Sequence, residues 1–404
     1  MMIAENQKLT IPLFLIWLLC ALSSIVFIEP SPYDLLLMAL GMTFFIFGLR
    51  VPPNLSAALF LMGLFVIANI LASIFASVPM HTIKHMLVTF ILVYSWLFFT
   101  SVVYIAPERI IHVILHGYVV AAVIGVIFGL IGYLKVTPFY EQFLLYGRIR
   151  GSFKDPNVFG AFLVSPAVYL GFQLETAKTG AFLKKLAILL FIILGILISF
   201  SRGAWFNLAI SSAIYIGLRL VTSKRKTDTA GLIKVASIVA SASATILVLA
   251  VLTMEDIGKL FSHRAQLVQD YDGESGGRFD VIGNALEISM NYPMGIGPGQ
   301  GAEALVLEPH NLLIHTMMET GWLGAISFAG FLLLTVRNAF LFCLQPSKIQ
   351  QVYIVAFACL MGTLLESIII HSTHWRHLYL LLALIWAPIA AKNKLAITPL
   401  TNPV

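Results

Sequence analysis

Apolar residues in this chain of 404 fall into long blocks separated by polar connections, and that pattern constrains the fold more than any other feature. Blocks of roughly 17–25 residues match the length at which a helix crosses a ~30 Å hydrocarbon layer. Inside such a layer no water is present to satisfy peptide groups, so each span bonds its backbone internally. We read blocks at 11–28, 35–49, 55–76, 86–105, 111–133, 157–174, 182–199, 204–221, 231–253, 312–336, 352–371 and 377–391. The expectation is an all-α integral membrane protein with about 12 transmembrane helices, forming one transmembrane domain over 1–404. Composition agrees, because 59% of residues are hydrophobic and 11% charged, leaving too little polar surface for a water-soluble body.

The first block runs into Glu29-Pro30-Ser31-Pro32 instead of a small-residue cleavage site, so it reads as a retained span. Cys20, Cys343 and Cys359 lie in or beside apolar blocks without metal-site or redox spacing, and read as packing residues. Basic residues exceed acidic ones only modestly, 25 against 19, and are dispersed among loops, which argues against a nucleic-acid partner.

Placing both termini in the cytoplasm puts most Lys and Arg inside, with Ser223-Lys224-Arg225-Lys226 the strongest vote. The exceptions carry the functional signal. Outside lie Arg148, Arg150, Arg202, Arg278 and Arg376, several of them in the long loops 134–156 and 254–311 and one in a tight turn. Loops of that length commonly serve function. The second is rich in glycine, from Gly273 to Gly301, and predicts short interfacial helices near 255–270 and 279–291 joined by turns.

Three outer stretches concentrate chemistry: Arg148 to Asn157, Ser199 to Trp205, and Gly277-Arg278 onward to Pro309-His310-Asn311. A guanidinium offers a permanent charge and a planar fork of donors suited to phosphate oxygens. Arg202, in a turn between two spans, either grips an anion or snorkels to lipid headgroups. Arg278 is a ligand or a surface charge, and Arg148 with Arg150 meet either a substrate or anionic lipid. His310-Asn311 opens a span, where free N–H groups favour an anion. His310 there is a base, a phosphate contact or a simple cap.

Asp270-Tyr271-Asp272 has an acid-x-acid pattern able to hold a divalent metal, but reads better as a solvated turn. His371, His374 and His377 recur at threefold spacing and could ligate a metal from one helix face, although an interfacial girdle with Trp375 and Arg376 fits better. His81 and His85 read the same way. Glu319 and Glu366 lie inside spans, where a carboxylate is costly and faces a polar partner. No metal and no cofactor is expected.

These pieces together resemble the O-antigen ligase and polymerase superfamily of bacterial envelope glycosyltransferases. The matching elements are Arg148-x-x-Gly151-x-Phe153 with Pro156-Asn157, Ser201-Arg202-Gly203, Arg278 followed by Asn291-Tyr-Pro-Met-Gly-Ile-Gly-Pro-Gly299, and Pro309-His310-Asn311 leading to Glu319-Thr-Gly-Trp-Leu-Gly324. The resemblance implies an inner-membrane, metal-independent transferase whose periplasmic face takes a glycan from undecaprenyl pyrophosphate. It passes that glycan to a hydroxyl, which in the ligase branch belongs to the lipid A core and in the polymerase branch to a growing glycan. Carried onto this chain, Arg202 and Arg278 hold the pyrophosphate with Arg148 or Arg150 and Asn311 assisting, and His310 is base or phosphate contact. Glycan transfer to protein, and a transporter or flippase, are the rival readings.

Overall fold

Four helices open on proline, which presets φ near the helical value and gives up an N–H that a first turn leaves unpaired anyway. They are α2 (Pro32–Ile46), α4 (Pro79–Ile105), α5 (Pro107–Tyr133) and α6 (Pro156–Leu174). The computed structural model describes residues 12–223, 226–253, 258, 277–305 and 308–395. The other principal helices are α1 (Leu13–Ala21), α3 (Ser56–Ala72), α7 (Thr179–Ile198), α8 (Arg202–Thr222), α9 (Lys226–Thr253), α10 (Arg278–Asn291), α11 (Leu312–Cys343), α12 (Gln350–Glu366) and α13 (Arg376–Ala390). Polar caps fix several starts. Ser31 and Asp34 form a reciprocal capping box on α2, Ser201 accepts from Ala204 N–H on α8, and Asn311 accepts from Leu313 and Ile314 N–H on α11.

The helical class stands, but the expected dozen spans are corrected. Among the described residues, 7 helices are long and apolar enough to cross a membrane: α3 with its extension to Phe75, and α4, α5, α6, α7, α8 and α11. Five further apolar helices, Leu13–Ser24, Pro32–Ile46, Thr229–Thr245, Gln350–Glu366 and Arg376–Ala390, are only 10–17 residues long. A helix of 15 residues, the length of α2, rises ~22 Å against a ~30 Å layer. Hydropathy marked these blocks as apolar, and at 11–28, 35–49 and 352–371 it missed where the helix stops, whereas α9 and α13 end within one residue of the blocks 231–253 and 377–391. The 352–371 block, for example, leaves the helix after Glu366 and bends through the 367–375 turn.

Packing follows small and aromatic residues. Phe65 of α3 stacks on Phe328 of α11 at 4.7 Å, and Trp96 of α4 meets Phe331 edge-on at 5.4 Å. A Cβ on Gly362 would stand 2.0 Å from Ser211 Oγ, so that glycine lets α12 approach α8 closely. All three cysteines are free and buried, as packing residues should be. The two ends of the bundle separate cleanly by contact. One end joins Lys154 to Glu29 at 2.7 Å and Arg376 to Asp34 at 2.6 Å. The other joins Arg219 to Glu175 at 2.6 Å, Lys348 to Glu108 at 3.3 Å, and Lys394 to the Tyr104 ring at 4.0 Å. The first end carries the basic residues that the charge bias places outside, and the second those it places inside. Asp270-Tyr271-Asp272, the predicted helix near 255–270 and the side chain of Arg278 lie outside the described residues.

Candidate functional site

A two-residue hairpin places Arg148. Strand β1 (Leu144–Leu145) pairs antiparallel with β2 (Arg148–Ile149), setting Leu145 opposite Arg148. The connecting Tyr146 and Gly147 take φ of 51° and 71°, the left-handed pair that a tight hairpin turn requires. Arg148 is 6% exposed. Its Nε donates to the Ser199 carbonyl at 2.8 Å and an Nη donates to Asn157 Oδ1 at 2.8 Å. Two of the sequence stretches thus meet on one guanidinium. Arg150 instead ties its own loop, donating to the Gln142 and Lys154 carbonyls at 3.3 and 3.1 Å.

Arg202 opens α8 three residues after Ser199, half-buried and following the Ser201 cap. Its neighbour Gly203 lies so near Glu366 that a Cβ there would be 2.6 Å from Oε1. The other oxygen of Glu366 accepts from Asn207 Nδ2 at 2.7 Å. Arg202 therefore sits on the turn of helix that covers a buried carboxylate. Arg278 opens α10.

The start of α11 reaches the same place from the other direction. Leu312 N–H donates to the Ser367 carbonyl at 2.9 Å, and Asn311 Nδ2 donates to the Ile368 carbonyl at 3.1 Å. Both acceptors lie one or two residues past Glu366. Beside this seam histidines and carboxylates gather. His371 Nε2 lies 3.2 Å from Glu308 Oε2, and its ring stacks on His315 with centroids 4.5 Å apart and planes within 6°. The His310 ring is 6.1 Å from His371. His315 Nε2 is 3.6 Å from Glu319 Oε1, and His85 Nδ1 is 3.6 Å from Glu319 Oε2. His374 packs on His85 at 4.0 Å and bonds Thr89 Oγ1 at 2.8 Å. His371 and His374 lie in the 367–375 turn and only His377 is helical, so the three do not share a helix face as one ligand set.

Electrostatics at this end favour neutral groups. Burial pushes Glu308 above the usual carboxylate range, opposed by the charge of His310. Burial holds His371 down to about 4, opposed by Asp155 at the start of α6. The same cause, with help from His85 and His371, keeps His374 well below the usual imidazole value.

Helix α11 is broken nine residues in. Gly321 adopts φ 71° and ψ −174°, and a Cβ there would lie 2.4 Å from the Pro293 carbonyl. The break is filled by the glycine-rich stretch that precedes it in sequence. Ile296 and Gly297 N–H donate to the Met318 and Glu319 carbonyls at 3.0 Å each, and Trp322 N–H donates to Pro293 at 3.0 Å. Irregular backbone in a membrane protein persists where other protein groups satisfy it. The Asn291–Gly299 and Glu319–Gly324 motifs are the two halves of this junction.

Sequence reasoning missed His315 and Glu308. His315 sits in an apolar block, and the available signal was its i,i+4 spacing to Glu319, two polar residues on one face of an otherwise apolar span. Glu308 is two residues before His310 and was passed over for the histidine.

Residues 187–329 match the family model described as O-Antigen ligase. Over this segment, about a third of the chain, the sequence is similar to that family. The matched stretch includes Arg202, Arg278, His310, Asn311 and the α11 break, whereas Arg148, Arg150, Glu366 and His371 lie beyond it. No curated protein matches the chain. The chain as a whole is a multi-pass, largely helical membrane protein.

Proposed function

We propose that this protein is an O-antigen ligase that moves a glycan from undecaprenyl pyrophosphate to a lipid A-core hydroxyl on the periplasmic face of the inner membrane. The observation that carries the reading is the convergence at one bundle end of the Arg202 turn, the Arg148 hairpin and the His310-Asn311 helix start, joined through Glu366, Ser367 and Ile368. In this scheme both termini face the cytoplasm and that end faces out. Arg202 and Arg278 hold the diphosphate. Arg148 and Arg150 hold the loop and the α8 start in register for it, because they donate to protein carbonyls and Asn157.

Outside the membrane no nucleotide-sugar pool exists, so a donor must bring its own leaving group, and a lipid diphosphate does. Its departure concentrates negative charge on oxygen, which fixed cations in a poorly hydrated site stabilise. Charge-assisted bonds contribute about 1.5–3 kcal/mol each, so the arginines account for more of the rate than any one base. His310 takes the proton of the attacking hydroxyl or contacts phosphate. Attack opposite the leaving group inverts the anomeric centre, and a product of retained configuration would reject that step.

Deleting the gene and resolving envelope glycolipids on a gel tests the reading. A ligase mutant leaves bare lipid A core while polymer accumulates on its carrier; cores bearing one repeat would identify a repeat-unit polymerase instead. The break in α11 gives transport its best support, since transporters bind ions at discontinuous helices. Here the Met318 and Glu319 carbonyls already accept from Ile296 and Gly297, which speaks for a structural joint.

A further inference from the structure

Glu308, His315 and His371 approach one another with the donor set of a transition-metal site. One ligand atom from each lies within 4.8 Å of the others. His371 Nε2 and His315 Nε2 stand 3.2 and 3.9 Å from the same oxygen, Glu308 Oε2. Ligands about 2.0–2.1 Å from a tetrahedral ion are separated by roughly 3.3 Å, so a small inward movement suffices. His315 is 2% exposed, yet its Nε2 has no hydrogen-bond partner within the described residues. A buried imidazole nitrogen aimed at a carboxylate without bonding it is an unmet demand that a cation satisfies. Glu308 and His371 are each about one-third exposed, 32% and 28% at the side chain, which leaves a route in from the outer end.

We propose that Glu308, His315 and His371 bind one divalent transition metal of the zinc class. Two imidazoles and one carboxylate suit that ion and leave a fourth position open. Oxygen-only ions such as magnesium do not suit it. Each ligand comes from a different piece of chain: Glu308 from the segment before α11, His315 from α11 itself, and His371 from the turn after α12. An ion here clamps those three together beside His310. The assignment rests on this geometry and is independent of the proposed transfer.

The test uses the full chain in detergent, freed of metal with a chelator, dialysed against zinc chloride, desalted and analysed for bound zinc. Close to one zinc per chain is expected, with a rise in melting temperature on zinc addition that magnesium chloride does not reproduce. His371→Ala and Glu308→Gln, which alter partly exposed side chains and spare the buried His315, are expected to lower zinc affinity by at least roughly tenfold and to abolish the zinc-induced rise. Their zinc-free melting temperatures show whether they remain folded. Native-like zinc retention in both folded variants, or no retention by the native chain, overturns the proposal. Transfer is scored separately: a chain that binds zinc without transferring glycan rejects the proposed function alone, and one that transfers without binding zinc rejects the metal site alone.

Discussion

Both ends of the bundle hold closed ion pairs, but one cluster at each end uses its charged groups differently. At the end holding Glu175, Arg219 and Tyr215, a buried guanidinium and carboxylate meet directly at 2.6 Å and the tyrosine hydroxyl donates to the same carboxylate. Opposite charges are closed on each other there. At the other end Arg148 is spent on neutral acceptors, Arg202 stands at a helix start, and histidines face carboxylates at 3.2–3.9 Å instead of closing on them. The first arrangement stabilises. The second leaves proton-exchanging rings beside carboxylates without closing on them. The difference teaches that the count of charged residues at a membrane boundary says less than whether each already has its counter-charge.

The sharpest way to break this comparison is to remove charge from the open end. Arg202→Ala, Arg278→Ala and His310→Ala should each abolish detectable transfer while the protein still inserts, since losing one charge-assisted contact worth about 1.5–3 kcal/mol slows a reaction by about tenfold per 1.4 kcal/mol. Lys348→Ala at the other end should leave transfer unchanged in the same glycolipid assay. Retained activity in all three open-end variants would mean that the site is elsewhere.

Arg219→Ala should do the reverse. It leaves Glu175 buried without its partner, a loss of about 3 kcal/mol, read as a lower melting temperature with normal transfer per folded molecule. Gly321→Ala should cost about 1–3 kcal/mol, because a side chain is forced into a left-handed backbone against the Pro293 carbonyl. Protease sensitivity between α10 and α11 should rise with it.

A smaller effect should appear on acidification. His371 has a folded pKa of about 4, below the ~6.5 of an unfolded chain, so the unfolded state binds more protons between those values. Stability contributed by keeping this ring neutral is therefore present above about pH 6.5 and declines as pH falls towards 4. His374, lowered for the same reason, adds to the slope, whereas Glu308, raised, opposes it. Melting curves in chelator should show a shallower decline for His371→Ala than for the native chain. The smallest change is expected for Lys154→Ala: its pair with Glu29 is exposed on both sides and should contribute less than about 1 kcal/mol.

The sequence made the helical, membrane-embedded class legible because apolar block length is a one-dimensional property. It overcounted crossings because block length is not helix length: Ala21, Ile46 and Glu366 end their helices before the apolar residues run out. Arg148, Arg202 and His310-Asn311 stood out because charge at the edge of a span is visible in isolation. What stayed hidden was pairing at a distance. Nothing in the block 312–336 marks Gly321 as a break, since only the Pro293–Gly297 backbone makes that conformation tolerable, and it arrives from a separate part of the chain. Glu308, and His315 beyond its i,i+4 spacing to Glu319, stayed hidden for a similar reason, as their grouping comes from His371, supplied by a turn that hydropathy had assigned to a span.

The joint at Gly321 has a consequence for how such a molecule can vary. Gly297 and Glu319 are fastened to each other through their backbones, so the chain running between them is a closed loop whose two feet stay put whatever its contents. Between those feet the chain is pinned again, by Gln300 to Ser77 and Thr82 and by Leu312 to the Ser367 carbonyl, so a change of length there would disturb the neighbouring helices. His310 lies between these two sets of anchors, so its position is set by the Gly321 joint on one side and the Ser367 seam on the other.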